Sequence, residues 1–271
     1  AFRDGRWDLF VGQAFSNFSP SLHMIDHHPV PDEVPMLFTF DYGYGKPFSC
    51  GWWWQDGDGR LYRFHEWYGW NGNPDEGARL SDDEVAIGIV NREKKLGIWK
   101  RGFPHYGPPD CFYKKPTYRS GGQGLSTAQT FLNHGIVLVP GDPDRKQKIR
   151  QFRQRLMRPL DEEGKEIKAD GDGRPVLPMM VAYRHCKHFQ RTIPNLVIDP
   201  HDPEDVDTDS EDHIYDEVAL ACMVRPLSIL QRRGPLKEAE KVWAEITEDV
   251  EALEADVQWR EGQLQVGGNY Q

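Results

Sequence analysis

Cysteine is scarce in this sequence of 271 residues and is never closely spaced. The cysteines lie far apart, at Cys50, Cys111, Cys186 and Cys222. No two of them form a CxxC pair or the spacing of a secreted disulfide framework, which indicates reduced thiols in a cytosolic setting. The run from His185 to His188 lacks a second ligand pair, which argues against a zinc site there.

Long apolar runs are also missing. None reaches the roughly 18 to 20 residues that a membrane-spanning helix needs, so the sequence excludes an integral membrane protein. Residues 1–18 alternate charged with aromatic residues and do not have the pattern of a signal peptide. Because the sequence begins at Ala1 without a Met, we expect a fragment cut from a longer protein.

Positive charge is outnumbered by negative charge. Lys and Arg total 33 against 43 Asp and Glu, which gives a formal net charge of -10. This balance argues against a protein that binds nucleic acid through bulk charge alone. Residues 235–261 hold three cations and nine anions, so they carry -6 and the rest of the chain carries -4.

Apolar runs separated by turn signals predict three consecutive antiparallel strands. They cover residues 36–40, 48–54 and 61–67. A Gly- and Pro-containing segment at 42–47 and the sequence Asp-Gly-Asp-Gly at 56–59 supply the two turns. The residues before position 36 predict an extended lead-in that lies on a surface.

Helical periodicity and capping signals predict the later elements. Ser81 and Glu84 form a capping box for one helix. Pro143 favours a helix that begins at 142 and runs to about 158, because Pro suits the first helical position. Ser210 is the expected N-cap of a last core helix, 211–225. The other predicted elements are helices at 126–133 and 183–191 and strands at 136–139, 176–182 and 196–198.

The tail, residues 229–271, carries a heptad-like apolar seam. Its apolar residues recur in steps of three and four, at Leu236, Ala239, Trp243, Ile246, Val250, Leu253 and Val257. Such spacing is typical of a helix that packs along one stripe. Two interpretations stay open: a helix packed on its own domain, or a helix that binds a partner or another copy.

Acidic residues stand at the ends of three predicted elements. Asp41 closes the first strand, and Asp110 follows an aromatic segment. Asp212, His213 and Asp216 open the last core helix, where residues three and four apart share one face. Hard divalent cations prefer carboxylate oxygens, and a His among them shifts the preference towards Mn²⁺.

Each of these residues also has a purely structural interpretation. Asp41 stands directly before a turn and is a good turn former. Acidic residues in a first helical turn suit the helix dipole. His213 could be a surface side chain.

The order of the predicted elements is more informative: three strands, then helix, strand, helix, strand and helix. The acidic residues fall on the first strand, near a fourth strand and on the late helix. This is the layout of an α/β, ribonuclease H-like domain, a mixed central sheet flanked by helices, here with a C-terminal helical tail.

Short motifs add a resemblance to a known family. Over roughly residues 1–226, the sequence resembles the C-terminal nuclease domain of phage and prophage terminase large subunits. The resembling residues are Gly5-Arg6-Trp7-Asp8, Gly12-Gln13-Ala14-Phe15, Phe40-Asp41-Tyr42-Gly43, Pro47, Glu66-Trp67-Tyr68, Pro109-Asp110, Arg191-Thr192-Ile193-Pro194, Pro203-Glu204-Asp205-Val206-Asp207-Thr208, Glu211-Asp212-His213 and Asp216.

The resemblance implies a metal-dependent endonuclease that cleaves double-stranded DNA during viral genome packaging, in the host cell cytoplasm. Its cofactors would be two divalent cations, Mg²⁺ or Mn²⁺, for two-metal hydrolysis. The positions that match the catalytic metal ligands are Asp41, Asp110, His213 and Asp216, with Asp212 as a ligand or supporting group. Glu66 is a possible substitute for Asp110.

The resemblance also divides the chain. Residues 1–35 match the end of a preceding ATPase domain, 36–228 the nuclease domain, and 229–271 form the acidic tail. The phosphate-binding loop GxxxxGK[ST] of the family's motor domain has no match here, so we expect neither binding nor hydrolysis of ATP by this fragment. The implied partners are double-stranded DNA, the portal protein and the small terminase subunit, with no membrane.

A cationic helix is the expected surface for DNA phosphates. Seven cations surround a narrow apolar stripe between residues 145 and 158. The candidate DNA-binding residues are Arg145, Lys146, Lys148, Arg150 and Arg153, with Lys114, Lys115, Arg119 and the Gly-rich loop 121–124 as a flexible arm. Binding of this kind is strongly salt-dependent. The alternative is an ordinary solvated helix face.

Three other functions stay open. The first is a non-catalytic packaging module that docks on the portal or the small terminase subunit through the tail helix. The second is a resolvase-like nuclease of the same fold. The third is a carbohydrate-active protein, in which Trp52, Trp53, Trp54, Trp67 and Trp70 stack on sugars and carboxylates act as acid and base.

Overall fold

A computed structural model describes residues 12–115, 124–173 and 176–224. Within them the chain forms a mixed seven-stranded sheet in the order β1-β7-β4-β3-β2-β5-β6. The strands are β1 (Met24–Ile25), β2 (Met36–Asp41), β3 (Ser49–Gln55), β4 (Leu61–Tyr68), β5 (His105–Gly107), β6 (Leu138–Pro140) and β7 (Met180–Tyr183). The helices are α1 (Pro20–His23), α2 (Asp82–Lys95), α3 (Thr127–Asn133), α4 (Arg145–Leu156), α5 (Lys187–Thr192) and α6 (His213–Met223). The predicted mixed sheet flanked by helices is confirmed.

Strands β2, β3 and β4 are antiparallel and coincide with the three predicted strands. Asp41 at the end of β2 pairs with Ser49 at the start of β3. Every residue of β3 is buried, including Trp52 and Trp53 at 0% exposure. A strand covered on both faces has a continuous apolar sequence rather than an alternating one. The Trp run is therefore core, and Trp67 and Trp70 pack partly buried against it, which argues against the carbohydrate-binding alternative.

Parallel strands extend the sheet on both sides. β5 pairs with β2 and β6 with β5, while β7 pairs with β4 and β1 with β7. Strand β1 belongs to the segment interpreted as a surface lead-in. Phe15 and Phe18 of that segment are buried in the core. The described part of the segment is thus anchored in the fold, by β1 in the sheet and by Phe15 and Phe18 in the core, instead of lying on the surface.

Capping chemistry decides where helices α2 and α4 begin. The predicted capping box of Ser81 and Glu84 is present at α2. Helix α4 begins later than Pro143 predicts. The side chain of Asp144 accepts the backbone N–H of Gln147 and acts as the N-cap, so the helix starts at Arg145.

The elements after β7 also differ from their predicted bounds. The hydroxyl of Ser210 donates to the carbonyl of Asp207 instead of capping, and α6 starts at His213. The predicted helix at 183–191 starts later because β7 extends to its first residue. In the predicted strand 196–198, Val197 and Ile198 form isolated bridges and no strand is present.

The four cysteines all lie in the described part of the chain, where they are buried and unpaired. None of the described helices combines the length and the hydropathy of a membrane span. The predicted helical tail at 229–271, Arg119 and most of the loop at 121–124 lie outside the described residues.

Candidate active site

The acidic residues meet at one edge of the sheet. Asp41 is the last residue of β2. Asp110 lies in the 3₁₀ turn that follows β5, and β5 runs parallel to β2. The carboxyl ends of parallel neighbours lie at the same edge, where α/β proteins commonly place their sites. Helix α6 packs on β2 and β3 and brings Asp212 and His213 to this edge.

His213 lies at the centre of the group. Its Nε2 atom is 3.0 Å from Oδ1 of Asp75. Its Nδ1 atom is 3.8 Å from Oδ2 of Asp41 and 3.9 Å from Oδ1 of Asp212. Two ligand atoms that share an ion at about 2.1 Å stand roughly 3 to 4 Å apart, so these pairs have suitable spacing. The whole group is less compact than an assembled metal site. In the described ranges, no three His, Cys, Asp or Glu side chains converge into a complete metal site.

Burial and mutual repulsion shift the protonation of this group. Burial raises the pKa of Asp41 to about 7 and that of Asp212 to about 8, and the negative charge of Asp216 adds to both shifts. Burial alone would lower the pKa of His213, but its carboxylate partners outweigh burial and raise that pKa to about 9. The site therefore holds more carboxylates than it stabilises in the ionised form, a condition that favours a bound cation.

Asp110 and Glu66 relate to this group differently. Asp110 is exposed, and its charge acts on Asp41. The Glu66 carboxylate accepts the backbone N–H groups of His188, at 2.7 Å, and Phe189, at 3.1 Å. The side chain of Glu66 is thus bonded to the first turn of α5 and is not part of the acidic group. This placement does not support Glu66 as a substitute for Asp110.

Two cations of α4 face Asp216. The NH1 atom of Arg145 is 3.6 Å from Oδ1 of Asp216, while its Nε atom donates to Asp205 at 2.7 Å. Lys148 is only 8% exposed. Burial lowers the pKa of its ammonium group, against the charges of Asp216 and Asp41. Lys148 was predicted to lie on an open DNA-binding surface, but it is buried beside the acidic group.

The other cations predicted to bind DNA are mostly engaged within the protein. Lys146 is 3.1 Å from Glu204 and 3.4 Å from Asp202, and Arg150 is 2.6 Å from Glu204. Arg153 donates to the carbonyl of Ala14. The balancing acids that α4 itself lacks are supplied by a loop distant in sequence, while Lys146 and Arg150 remain more than half exposed.

The candidate arm near Asp110 presents one engaged and one exposed lysine. Lys115 lies 2.6 Å from Asp82 and over the ring of Tyr42 at 4.2 Å. Lys114 is exposed. In the described part of this segment, Lys114 is therefore the better placed of the two for a phosphate.

Asp75 is a site residue that sequence reasoning missed. It lies in the loop between β4 and α2, at a left-handed φ of 57°. The only local signal is the turn sequence Pro74-Asp75-Glu76-Gly77. Its partner His213 is 138 residues away along the chain, so no local pattern connects them.

A buried network fixes α6 on the sheet. Glu217 accepts the Ser49 hydroxyl at 3.1 Å and the indole N–H of Trp53 at 3.2 Å. It also accepts Arg63 at 2.5 Å and the hydroxyl of Thr39. Because Glu217 follows Asp216 directly, this network determines where the acidic face of α6 lies.

Comparison with known proteins identifies the fold. No family model and no curated protein matches the sequence. Among solved structures, the P22 large terminase nuclease domain superposes with a TM-score of 0.55 at 15% identity, covering 83% of this chain and 98% of that one. The large terminase of a thermophilic bacteriophage superposes with a TM-score of 0.54 at 18% identity. That match covers 80% of this chain and 46% of the thermophilic phage protein, so this chain spans less than half of that protein's length.

The chain therefore has a ribonuclease H-like α/β fold. More particularly, the fold is like that of the nuclease domains of large terminases.

Proposed function

We propose that this chain is a divalent-metal-dependent endonuclease that cleaves double-stranded DNA during viral genome packaging. The observation that supports this most directly is the placement of Asp41 and Asp212 beside His213, with Asp216 one turn further along α6, at the edge of a terminase nuclease-like sheet. The residues proposed to hold Mg²⁺ or Mn²⁺ are Asp41, Asp110, His213 and Asp216, with Asp212 as a ligand or supporting group. When bound, two such ions supply the Lewis acidity that phosphodiester hydrolysis needs.

The neighbouring cations fit the same reaction. The Lys148 ammonium lies among the acids, where it can neutralise an oxygen of the scissile phosphate. Exposed Lys114 lies close after Asp110 in the chain and is placed to contact a flanking phosphate. In the assembled packaging complex, in the host cytoplasm, the proposed partners are DNA, the portal protein and the small terminase subunit.

Cleavage of supercoiled plasmid tests the proposal. With Mn²⁺ or Mg²⁺ we expect nicked and linear products, and with EDTA none. Asp41→Asn keeps the shape of the side chain but removes its charge, and should lower the rate at least about a hundredfold, as loss of one strong electrostatic contribution does.

The matched control is Asp58→Asn, the same chemical change in the exposed turn between β3 and β4, at the far end of the sheet from Asp41. It should cut at the wild-type rate. Metal-independent cutting, or equal rates for the two variants, would contradict the proposal. A folded protein that never cuts would favour a second candidate, a non-catalytic docking module. The ion pairs that cover α4 also favour that candidate, because they leave fewer cations for DNA.

A further inference from the structure

Backbone hydrogen bonds hold the loop that carries Asp75 in place. The Gly77 N–H donates to the Gly45 carbonyl at 2.9 Å, which ties this loop to the turn after Asp41. The Ala78 N–H donates to the Gly69 carbonyl at 2.8 Å and closes the loop at its base. A side chain at Gly77 would collide with the backbone of the other loop, so the two loops approach as closely as glycine allows.

The backbone of Asp75 is itself unusual. A φ of 57° places it in the left-handed region, which is unfavourable for L-residues and which Asp and Asn tolerate best. Unfavourable backbone conformations of this kind persist where the surrounding structure imposes them, often at functional sites. The carboxylate is therefore presented to its partners by a constrained turn.

The imidazole of His213 is held between carboxylates on both sides. Asp75 lies at Nε2, and Asp41 and Asp212 lie near Nδ1. The ring is 15% exposed and Asp75 is 26% exposed, so this contact is partly shielded from solvent. A hydrogen bond at Nε2 fixes the plane of the ring and leaves Nδ1 directed at the acidic group.

This arrangement matches a recurring feature of metal centres. A histidine that binds a metal through one nitrogen almost always donates its other N–H to a carboxylate, a carbonyl or water. That contact sets the tautomer and makes the ligating nitrogen more basic. Nitrogen ligands also favour Mn²⁺ over Mg²⁺.

We infer that Asp75 is a positioning residue, which holds His213 so that Nδ1 faces the proposed metal-binding group and thereby sets the affinity of the site for divalent cations. The inference rests on the proposed function but assigns a role to a residue outside the acidic group. Lys46 also donates a hydrogen bond to Asp75. If Asp75 had a purely structural role, it would act through this contact with Lys46.

Calorimetric titration of the DNA-free protein with MnCl₂ tests the inference. Asp75→Ala should weaken Mn²⁺ binding about 10- to 100-fold, the usual effect of removing such a partner. Asp75→Asn tolerates the left-handed backbone and keeps an acceptor oxygen, so it should weaken binding less. Lys46→Met is the control: it removes the other partner of Asp75 and should bind Mn²⁺ as the wild type does.

A double-mutant cycle separates positioning from general damage. In a His213→Ala background, Asp75→Ala should cause no further loss of affinity, because the residue through which it acts is gone. Additive losses, an unchanged affinity for Asp75→Ala, or an equal loss in Lys46→Met would each overturn the inference while leaving the nuclease proposal intact. A wild-type protein that binds no Mn²⁺ would overturn both, and that pattern is distinct from the others.

Discussion

At the scale of single residues, one buried ion pair positions much of the site. Arg63 and Glu217 are both fully buried and lie 2.5 Å apart. They cross β3 at Gly51, where any side chain would collide with both. Breaking such a pair on one side costs about 3–5 kcal/mol, because a charge is left buried alone. The pair therefore fixes the rotation of α6 about its own axis relative to the sheet.

Gly51→Ala tests this directly. The added methyl group forces Glu217 and Arg63 apart, and we expect a loss of about 1–3 kcal/mol in the free energy of unfolding, as overpacking usually causes. Urea denaturation measures the loss. Plasmid cleavage should fall as well, because Asp216 moves with Glu217.

The control for that variant is Gly57→Ala in the β3–β4 turn. An added Cβ there meets nothing within 4 Å. Its stability should change by no more than about 0.5 kcal/mol. If both alanine variants were equally stable, the close approach at Gly51 would have no energetic consequence.

At the scale of elements, α4 and the loop at 199–209 form one surface of opposite charges. Glu204, which pairs with Lys146 and Arg150, is 51% exposed. Exposed ion pairs of this kind contribute little to stability, because water and salt screen them. DNA phosphates can therefore compete with the loop for the same cations.

The variant Asp202→Asn with Glu204→Gln should bind duplex DNA about three- to tenfold more tightly, since two competing carboxylates are lost. Fluorescence anisotropy at two salt concentrations measures this change. The pair Glu162→Gln with Glu163→Gln makes the same change of charge on exposed residues of another loop. If both double variants gained equally, net charge alone would explain the effect and α4 would not be the DNA surface.

The elements also show what a sequence can and cannot predict. Strands β2 to β4 and the capping box at Ser81 depend on nearby residues, and both were predicted. The acidic residues at Asp41 and Asp212 were recognisable because they stand at element ends. The pairing of Asp75 with His213, and of Glu204 with α4, brings distant segments together, and no local pattern encodes it. The prediction that Lys148 lies on an open surface was wrong for a related reason. Periodicity predicts on which face of a helix a residue lies, but not which other elements cover that face.

At the scale of the whole molecule, deprotonation of the site makes the folded state less stable as pH rises. The pKa of Asp41 rises from 3.8 to about 7 on folding. Its contribution to the free energy of unfolding is therefore fully present below pH 3.8 and is lost as the pH increases through about 7. The pKa of His213 rises from 6.5 to about 9, so its contribution is present below 6.5 and is lost through 9. Both act in the same direction.

Partly buried His65 and His188, whose pKa values are lowered by desolvation to about 4, act in the opposite direction below about pH 6.5. We therefore expect the metal-free protein to lose stability as the pH rises from about 6.5 to 9. Urea midpoints across that range measure the loss, and Asp41→Asn should flatten its lower end, near about pH 7. Adding Mn²⁺ at about pH 8 should restore stability by mass action. A midpoint that rose with pH in the metal-free protein would contradict the assigned shifts.

The crossing of Arg63 and Glu217 over Gly51 also has an evolutionary consequence. These three positions constrain one another, since the arginine and the glutamate fit together only above a residue without a side chain. Descendants that keep both charges have to keep the glycine. A lineage that first loses the glutamate leaves the buried arginine with Glu66, 3.5 Å away, as its remaining ionic partner. Only after the arginine is replaced too does the strand become free to accept a larger residue.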